Sequence, residues 1–227
     1  MTQDYYKNLY DFHKQVALEK DGFYDSRGHR LKHHPVQLWA RRQILNLLTP
    51  ILSGEETLLD AGCGRGDLAV FLKKYFPHIK ITGIDIVPEM IHIARQITRP
   101  LSGIEFHVGE IQELPYENCF FDVVVANNVL HCLLPQDQPS ALAELARVSR
   151  KYLILELKNK NCLYHWIKKK KIAHLPLYPG SLPEMKQRLR KDHFVVEKEK
   201  YYLFTGFLSP WVVLRAKKES APEDLLK

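Results

Sequence analysis

Short apolar runs alternate with amphipathic segments along most of the chain, and this alternation predicts strands that are joined by helices. The run over 121–126 is apolar except for Asp122, as expected for a central parallel strand that is buried on both faces. Apolar side chains also recur at helical spacing between residues 5 and 16, where they predict an N-terminal helix. The predicted strands cover 57–61, 79–84, 104–108, 121–126, 152–157, 194–202 and 209–216. The other predicted helices cover 35–52, 67–76, a segment that begins at Pro88, 138–149 and 181–192.

Three glycines stand directly after the first predicted strand, in the stretch LLDAGCGRGDLAVFL. A glycine inside a strand or helix costs roughly 0.5–1 kcal/mol relative to alanine. Gly62, Gly64 and Gly66 therefore indicate either that bare backbone approaches a ligand at the start of the next helix, or that the chain makes an ordinary tight turn. The spacing is not the G-x-G-x-x-G of dinucleotide sites, and Asp67 at the helix start disfavours an anionic group there. The pattern favours a nucleoside-like ligand.

Polar side chains follow two further predicted strands. Asp85 lies about 20 residues after the last glycine, where the ribose-binding acid of a βαβ nucleotide site belongs. Its alternative role is a plain N-cap of the helix that Pro88 opens. Asn127 ends the strand 121–126, and ligands of open α/β sheets bind at the carboxyl ends of strands. We therefore expect Asn127 to face the same ligand, with His131 one turn further along.

Four stretches resemble, in order and spacing, the motifs of class I S-adenosylmethionine-dependent methyltransferases. They are LLDAGCGRGDLAVFL, ITGIDIVPEM, VGEIQELPYENCFFDVVVANNVLH and ALAELARVSRKYLILEL. The resemblance covers roughly Leu58 to Leu157 and has the character of the ubiquinone/menaquinone-methyltransferase-like group. It implies an α/β, three-layer, Rossmann-like methyltransferase fold with a seven-stranded, mostly parallel sheet whose last strand is antiparallel. It also implies S-adenosylmethionine as the cofactor.

The resemblance assigns roles to individual residues. In the family, the glycine loop approaches the methionine part of the cofactor, and the acid after the second strand binds both ribose hydroxyls. Asp60 would then order the loop, and Glu110 stands where the family often has Asp or Asn beside the adenine amino group. Ile86 and Ile111 would enclose the adenine ring, although Ile111 equally suits the core. The implied cofactor-binding residues are Asp60, Gly62, Cys63, Gly64, Gly66, Asp85, Ile86, Glu110, Ile111 and Asn127.

Methyl transfer from a sulfonium requires an aligned nucleophile and the exclusion of water, and an oxygen or carbon nucleophile usually needs a base as well. His131 is the predicted catalytic residue because it follows the strand end near the expected position of the methyl group. The alternative is a histidine with a structural role. The competing candidates are His13, Tyr24, His33, His34 and Glu156. No carboxylate or thiol pattern accompanies His29, His33 and His34, so no metal site is predicted.

The chain is predicted to form one domain with five segments. The N-terminal segment, 1–34, is either a lid over the active site or a helix that merely packs on the sheet. The cofactor-binding half covers 35–158, and a substrate-side insertion with a helix covers 159–193. A closing hairpin covers 194–216, and a polar tail covers 217–227.

Composition and charge add two expectations. The 227-residue chain is 45% hydrophobic, and it has neither an apolar membrane span nor an apolar signal peptide. Its four cysteines lack a disulfide or metal spacing, so we expect a reducing, cytoplasmic location. The net charge is +7, and the positive surplus lies after residue 149. The run of Lys168, Lys169, Lys170 and Lys171 suits an anionic membrane surface, an anionic substrate, nucleic acid or a solvated helix end.

Three functions are compatible with these features. The favoured one is methyl transfer to the oxygen, nitrogen or carbon of a small-molecule acceptor. The second is methyl transfer to RNA, to protein or to a membrane-associated lipid or quinone. The sequence ANNV stands where base-methylating enzymes have a D/N-P-P-Y/F motif, which argues against methylation of base amino groups. The third is a binding module without catalysis, which the intact glycine loop and Asp85 disfavour.

Overall fold

The structure is a computed structural model, and it describes residues 2–18, 35–160, 178–203 and 209–219. Its helices are α1 (Thr2–Leu18), α2 (Pro35–Leu48), α3 (Asp67–Lys73), α4 (Pro88–Thr98), α5 (Gln138–Val148) and α6 (Leu182–Lys191), with a 3₁₀ turn over Leu130–Cys132. Its strands are β1 (Thr57–Ala61), β2 (Lys80–Asp85), β3 (Ile104–Val108), β4 (Phe121–Ala126), β5 (Ser149–Lys158), β6 (Phe194–Tyr201) and β7 (Trp211–Lys218).

The seven strands form one sheet in the order β3-β2-β1-β4-β5-β7-β6. Strands β1 to β5 pair in parallel, and β7 is antiparallel to both of its neighbours, β5 and β6. All six residues of β4 are buried, as its apolar sequence requires at the centre of a sheet with two covered faces. The predicted seven-stranded Rossmann-like fold with an antiparallel last strand is therefore confirmed.

Two apolar cores, one on each face of the sheet, produce the three layers. One core joins the sheet to α5 and α6 through Leu145 and Leu189. The other joins it to α2, α3 and α4 through residues such as Ile44, Leu72 and Ile91. These five side chains are almost fully buried, which is the main favourable contribution to holding the helices on the sheet.

The strand register brings the ends of β1, β2 and β4 to one edge of the sheet. Ala61 lies opposite both Ile84 and Ala126, so the residues that follow each strand emerge side by side. In an open α/β sheet this carboxyl edge, beside the switch in strand order, is where ligands bind. The register therefore places the glycine loop, Asp85 and Asn127 around a common space.

Most predicted helix and strand boundaries hold within a few residues, and the differences have local causes. α3 ends at Lys73 rather than at residue 76, and the buried Lys73 ammonium donates to the carbonyls of Pro77 (3.0 Å) and Ile79 (2.6 Å) in the turn that follows. β5 begins at Ser149 rather than at residue 152 because its polar start still pairs with β4. Ser181 is the N-cap of α6, as predicted, since its hydroxyl accepts a hydrogen bond from the Glu184 N–H and so forms the serine half of the capping box.

The start of the sheet is held by one acid. Opposite Asp122, a bulge inserts Arg150 and Lys151 between the pairs that Phe121 and Val123 make with β5. Both cations contact the Asp122 carboxylate, at 2.9 and 3.0 Å. The N–H and hydroxyl of Thr57 also donate to that carboxylate, both at 3.1 Å. One side chain thereby joins β1, β4 and β5.

In the part of the chain that the structure describes, no helix is both long and apolar enough to cross a membrane. Residues 19–34 and 161–177 lie outside the described residues. The competing base candidates Tyr24, His33 and His34, the neighbouring His29, and the run from Lys168 to Lys171 belong to those two segments.

Asp122→Asn should destabilise the fold at neutral pH and have little effect in acid. Burial alone would raise the pKa of Asp122, but the Thr57 hydrogen bonds and the two cations outweigh it and lower the pKa to about 2. The carboxylate therefore stabilises the fold above its unfolded pKa of about 4, and that contribution disappears as the pH falls through about 2. We expect the variant to lose about 1–3 kcal/mol of unfolding free energy at pH 7.

Urea unfolding at pH 7 and near pH 2 measures this difference. The exposed Glu55→Gln removes one carboxylate elsewhere on the surface and serves as the control. An Asp122→Asn deficit that stays the same at both pH values would show that the carboxylate charge is not the stabilising feature.

Candidate functional site

The glycine loop after β1 adopts a backbone that disfavours side chains. Gly62, Gly64 and Gly66 have φ angles of +73°, +53° and +74°, in the left-handed region. The N–H groups of Gly62 and Cys63 donate to the carbonyl of Ile84 at 2.8 and 3.0 Å, which fixes the loop against the end of β2. A Cβ at Gly62 would lie 2.5 Å from the Val129 side chain, whereas a Cβ at Gly64 would meet no atom within 4 Å. The loop therefore requires glycine at more positions than an ordinary tight turn does.

Asp85 is fixed by two backbone donors. Its carboxylate accepts the Gly64 N–H at 2.8 Å and the Val87 N–H at 3.0 Å. The N-cap residue of α4 is Val87, so the alternative in which Asp85 caps that helix is wrong. Asp85 instead connects the end of β2 to the glycine loop.

A cavity of about 570 Å³ opens at this carboxyl edge of the sheet. Nine of the ten residues predicted to bind the cofactor line it: Asp60, Gly62, Cys63, Gly64, Asp85, Ile86, Glu110, Ile111 and Asn127. Gly66 is the exception. A Cβ at Gly66 would come within 2.8 Å of the Phe106 ring, so this glycine permits close packing of the loop on β3 and does not face the cavity.

Helix α1 forms the wall opposite the sheet edge. Tyr6, Leu9, Tyr10 and His13 line the cavity at one-turn and two-turn spacing, on a single face of the helix. The Tyr10 hydroxyl donates to Glu89 on α4 at 3.3 Å, and the Lys14 ammonium forms an ion pair with Glu89 at 3.0 Å.

At its other end, α1 contacts the segment after β4. The Tyr5 hydroxyl donates to the Cys132 carbonyl at 2.9 Å, and the Tyr6 hydroxyl donates to the Asp137 carboxylate at 2.5 Å. The N-terminal helix thus packs over the cavity and not only on the sheet. Its opening and closing as a lid stays a prediction.

Several buried acceptors in the cavity have no partner among the described residues. They are Asp60 Oδ2, Asn127 Oδ1 and Asn128 Oδ1. Burial raises the pKa of Asp60 to about 7, with the nearby Asp85 charge adding to the increase and Arg41 opposing it. A buried polar atom without a hydrogen bond costs free energy, and a ligand with donor groups would remove that cost.

His13 and Asp85 perturb each other across the cavity. Burial raises the pKa of Asp85, and the hydrogen bonds from Val87 and Gly64 and the neighbouring His13 oppose it. Burial lowers the pKa of His13, with the Asp85 charge acting in the other direction. The N-terminal helix thus brings a titratable group next to the acid that was predicted to bind the ribose.

His131 faces a different cavity. It lies in the 3₁₀ turn and lines a second space of about 350 Å³, together with Glu156 and Lys158. Its Nε2 atom is 2.7 Å from Lys158 Nζ, and burial, aided by the Lys158 charge, lowers its pKa well below the usual value. The charge of His13, which lines the larger cavity, also lowers the pKa of His131, so the two histidines lie near each other. The role of His131 as a base stays a prediction.

Some lining residues of the larger cavity were not singled out in the sequence. Arg41 on α2, Met90 on α4 and Cys132 in the 3₁₀ turn belong to this group. The 3.6-residue period shows which face of a helix is apolar, but not which part of that face borders a ligand. In the described ranges, no group of three or more His, Cys, Asp or Glu side chains is arranged to hold a metal ion.

Comparison with known proteins identifies the class of the domain. Residues 58–152 match the family model described as a methyltransferase domain. The chain is 35% identical over 99 residues to the phthiotriol/phenolphthiotriol dimycocerosates methyltransferase of Mycobacterium leprae, covering 44% of this chain and 35% of that protein. It is 34% identical over 84 residues to the demethylmenaquinone methyltransferase of Thermotoga maritima, covering 37% of this chain and 34% of that protein. The matches span about a third of the length of these curated relatives.

Solved structures share the fold over nearly the whole chain. The magnesium protoporphyrin IX methyltransferase of Synechocystis, with bound S-adenosylhomocysteine, superposes with a TM-score of 0.73 at 18% identity, covering 95% of this chain and 97% of that one. An N-methyltransferase of Bradyrhizobium japonicum superposes with a TM-score of 0.71 at 18% identity, covering 94% and 100%. The resemblance to class I S-adenosylmethionine-dependent methyltransferases is confirmed: residues 58–152 match the model of a methyltransferase domain, and the solved methyltransferases share the fold.

Two glycine substitutions should separate the cost of backbone strain from the cost of packing against Val129. Gly62→Ala combines left-handed strain of roughly 1–2 kcal/mol with overpacking against Val129 of roughly 1–3 kcal/mol, so the unfolding free energy should fall by about 2–5 kcal/mol. Gly64→Ala carries the strain alone, because its Cβ would enter open space. Denaturant unfolding of both variants measures the difference, and equal losses would show that contact with Val129 is not what selects glycine at 62.

Proposed function

We propose that the protein is an S-adenosylmethionine-dependent methyltransferase that acts on a small-molecule acceptor. The observation that carries the proposal is the cavity at the carboxyl edge of the sheet. There the glycine loop leaves open space, Asp85 is oriented by two backbone donors, and Asp60 presents a buried acceptor without a partner.

The lining residues fit the three parts of the cofactor. Asp85 would accept the ribose hydroxyls, since both of its oxygens have lone pairs beyond those used by the backbone. Ile86 and Ile111 would pack on the adenine, and Glu110 would accept from its amino group. The ammonium of the methionine part would supply the donor that Asp60 Oδ2 lacks, and Asn127 Oδ1 offers a second acceptor.

The chain's own contribution to catalysis is orientation and the exclusion of water. The bound sulfonium supplies an already activated methyl group. The glycine loop and Asp85 would fix the orientation of the cofactor, and helix α1 would cover it with Tyr6, Tyr10 and His13. His13 is the candidate base that borders this cavity. The base predicted from the sequence, His131, lines the second cavity, and its catalytic role remains a prediction.

A small-molecule acceptor is supported by the activities for which the relatives are named. These include methyltransferases for demethylmenaquinone and for phthiotriol dimycocerosates, and the structural neighbours include enzymes for magnesium protoporphyrin IX and for N-methylation. RNA or protein as the acceptor is the less favoured alternative. A cytoplasmic location, and contact of Lys168 to Lys171 with an anionic substrate or membrane, remain predictions.

Binding of two ligands should show separately whether Asp85 contacts the ribose and whether Asp60 contacts the amino-acid part of the cofactor. S-adenosylhomocysteine contains the ribose and the amino-acid part, whereas 5′-methylthioadenosine lacks the amino-acid part. Asp85→Asn should weaken both ligands about tenfold or more, because charge-assisted hydrogen bonds contribute roughly 1.5–3 kcal/mol each. Asp60→Asn should weaken only S-adenosylhomocysteine. Calorimetry measures all four affinities, and the exposed Glu105→Gln, outside the cavity, is the control. Unchanged binding of both ligands by Asp85→Asn would refute the ribose assignment.

Methyl transfer itself should label small molecules. The protein is incubated with radiolabelled S-adenosylmethionine and, in separate reactions, a low-molecular-mass cell extract, total RNA or a protein fraction. We expect label only in the first reaction, and about tenfold less of it at limiting S-adenosylmethionine when Asp85→Asn replaces the parent protein. Label in RNA or protein would overturn the small-molecule class. Cofactor binding without label in any reaction would favour the non-catalytic binding module.

A further inference from the structure

The second cavity is a separate compartment on the other side of the 3₁₀ turn. It lies among the turn Leu130–Cys132, the start of α5, the helix α6 and the last residues of β5. Its volume of about 350 Å³ falls in the range of small-molecule sites. None of its lining residues lines the larger cavity, so within the described residues the two spaces are distinct.

The inner wall of this cavity is apolar. Leu130, Leu142 and Leu157 are buried, and Met185 and Pro139 complete the surface. Such a wall favours the hydrocarbon or aromatic part of a ligand, because burial removes apolar surface from water.

Three basic and two acidic side chains are among the residues that line the cavity. Lys158 lies on the β5 side, and Arg188 and Lys191 project from α6 one turn apart. Neither α6 cation forms an ion pair with another residue in the ranges that the structure describes.

The negative charge of each of the two acids that line the cavity is reduced, in one case by an ion pair and in the other by burial. Glu184 forms an ion pair with Lys160 at 3.1 Å. Glu156 is buried, and burial raises its pKa to about 7, with Lys158 opposing the increase, so that it is partly neutral near physiological pH. The remaining charge at the cavity is positive.

One wall of the second cavity contains a buried histidine. His131 is only 4% exposed, and its Nε2 atom is 2.7 Å from Lys158 Nζ. A lysine ammonium can only donate, so Nε2 accepts and the neutral ring carries its proton on Nδ1. Nδ1 has no hydrogen-bond partner within the described ranges. Nδ1 is itself buried, so the His131 ring forms part of the cavity wall and the charges at the cavity come from the lysine and arginine side chains.

We propose that the second cavity is a binding site for an apolar organic carboxylate, with its carboxylate held by Arg188 and Lys191 and its body against the leucine wall. A carboxylate matches a site with a few donors and a modest surplus of positive charge. An organic cation would be disfavoured by Arg188 and Lys191. This site does not depend on methyl transfer.

Binding of octanoate and of its neutral analogue octanamide tests the proposal. Calorimetry is done on the full chain with excess S-adenosylhomocysteine present, so that the larger cavity is blocked. Octanoate should bind at least about tenfold more tightly than octanamide, because only the carboxylate makes charge-assisted hydrogen bonds. Binding should also shift the NMR signals of the His131 ring.

Matched variants on one helix locate the site. Arg188→Gln and Lys191→Gln should each weaken octanoate by about tenfold and leave octanamide unchanged. Arg190→Gln removes the same charge from the same helix but does not line the cavity, so it should bind as the parent does. Equal affinity for the two ligands, or equal losses in Arg188→Gln and Arg190→Gln, would overturn the proposal. Failure of S-adenosylhomocysteine to bind would refute the proposed function, and the comparison of Arg188→Gln with Arg190→Gln would still show whether octanoate occupies the second cavity.

Discussion

The pair of hydrogen bonds that Asp85 accepts from Gly64 and Val87 is the contact on which the arrangement of the site depends. One carboxylate fixes three pieces of backbone: the end of β2, the loop after β1 and the start of α4. Parallel pairing brings these pieces near each other, but strand pairing alone does not set the path of a loop. Without this contact, the open space at Gly64 would not be held next to the acid.

The sequence revealed the sheet and this part of the site because both are encoded by neighbouring residues. An apolar run such as 121–126 is best accommodated as a central strand of a sheet that is covered on both faces. Positions with positive φ favour glycine, so the turns of the loop appear in the sequence as regularly spaced glycines. Nine of the ten predicted cofactor residues therefore line one cavity. Gly66 has the same backbone conformation as the other two glycines but serves packing on Phe106, and spacing cannot distinguish these two uses.

Features that depend on distant contacts were less visible in the sequence. His131 follows the end of β4 and was expected near the cofactor, but a 3₁₀ turn directs successive residues to different sides, so His131 and Cys132 line different cavities. The role of α1 as a cavity wall rests on contacts between residues more than 100 positions apart, such as that of Tyr5 with Cys132. The start of β5 was missed because its Arg150 and Lys151 are polar, and their pairing with Asp122 becomes apparent only in the folded sheet.

The 3₁₀ turn is shared by both compartments and is also hydrogen-bonded to α1. The Tyr5 hydroxyl holds the Cys132 carbonyl, and the next residue back, His131, borders the other space. Binding free energies that are coupled through such a shared element are reciprocal. Any molecule that prefers the second compartment when α1 is docked must therefore favour docking of α1 by the same factor. An occupant of the second cavity would in this way change the fraction of molecules in which α1 covers the larger cavity.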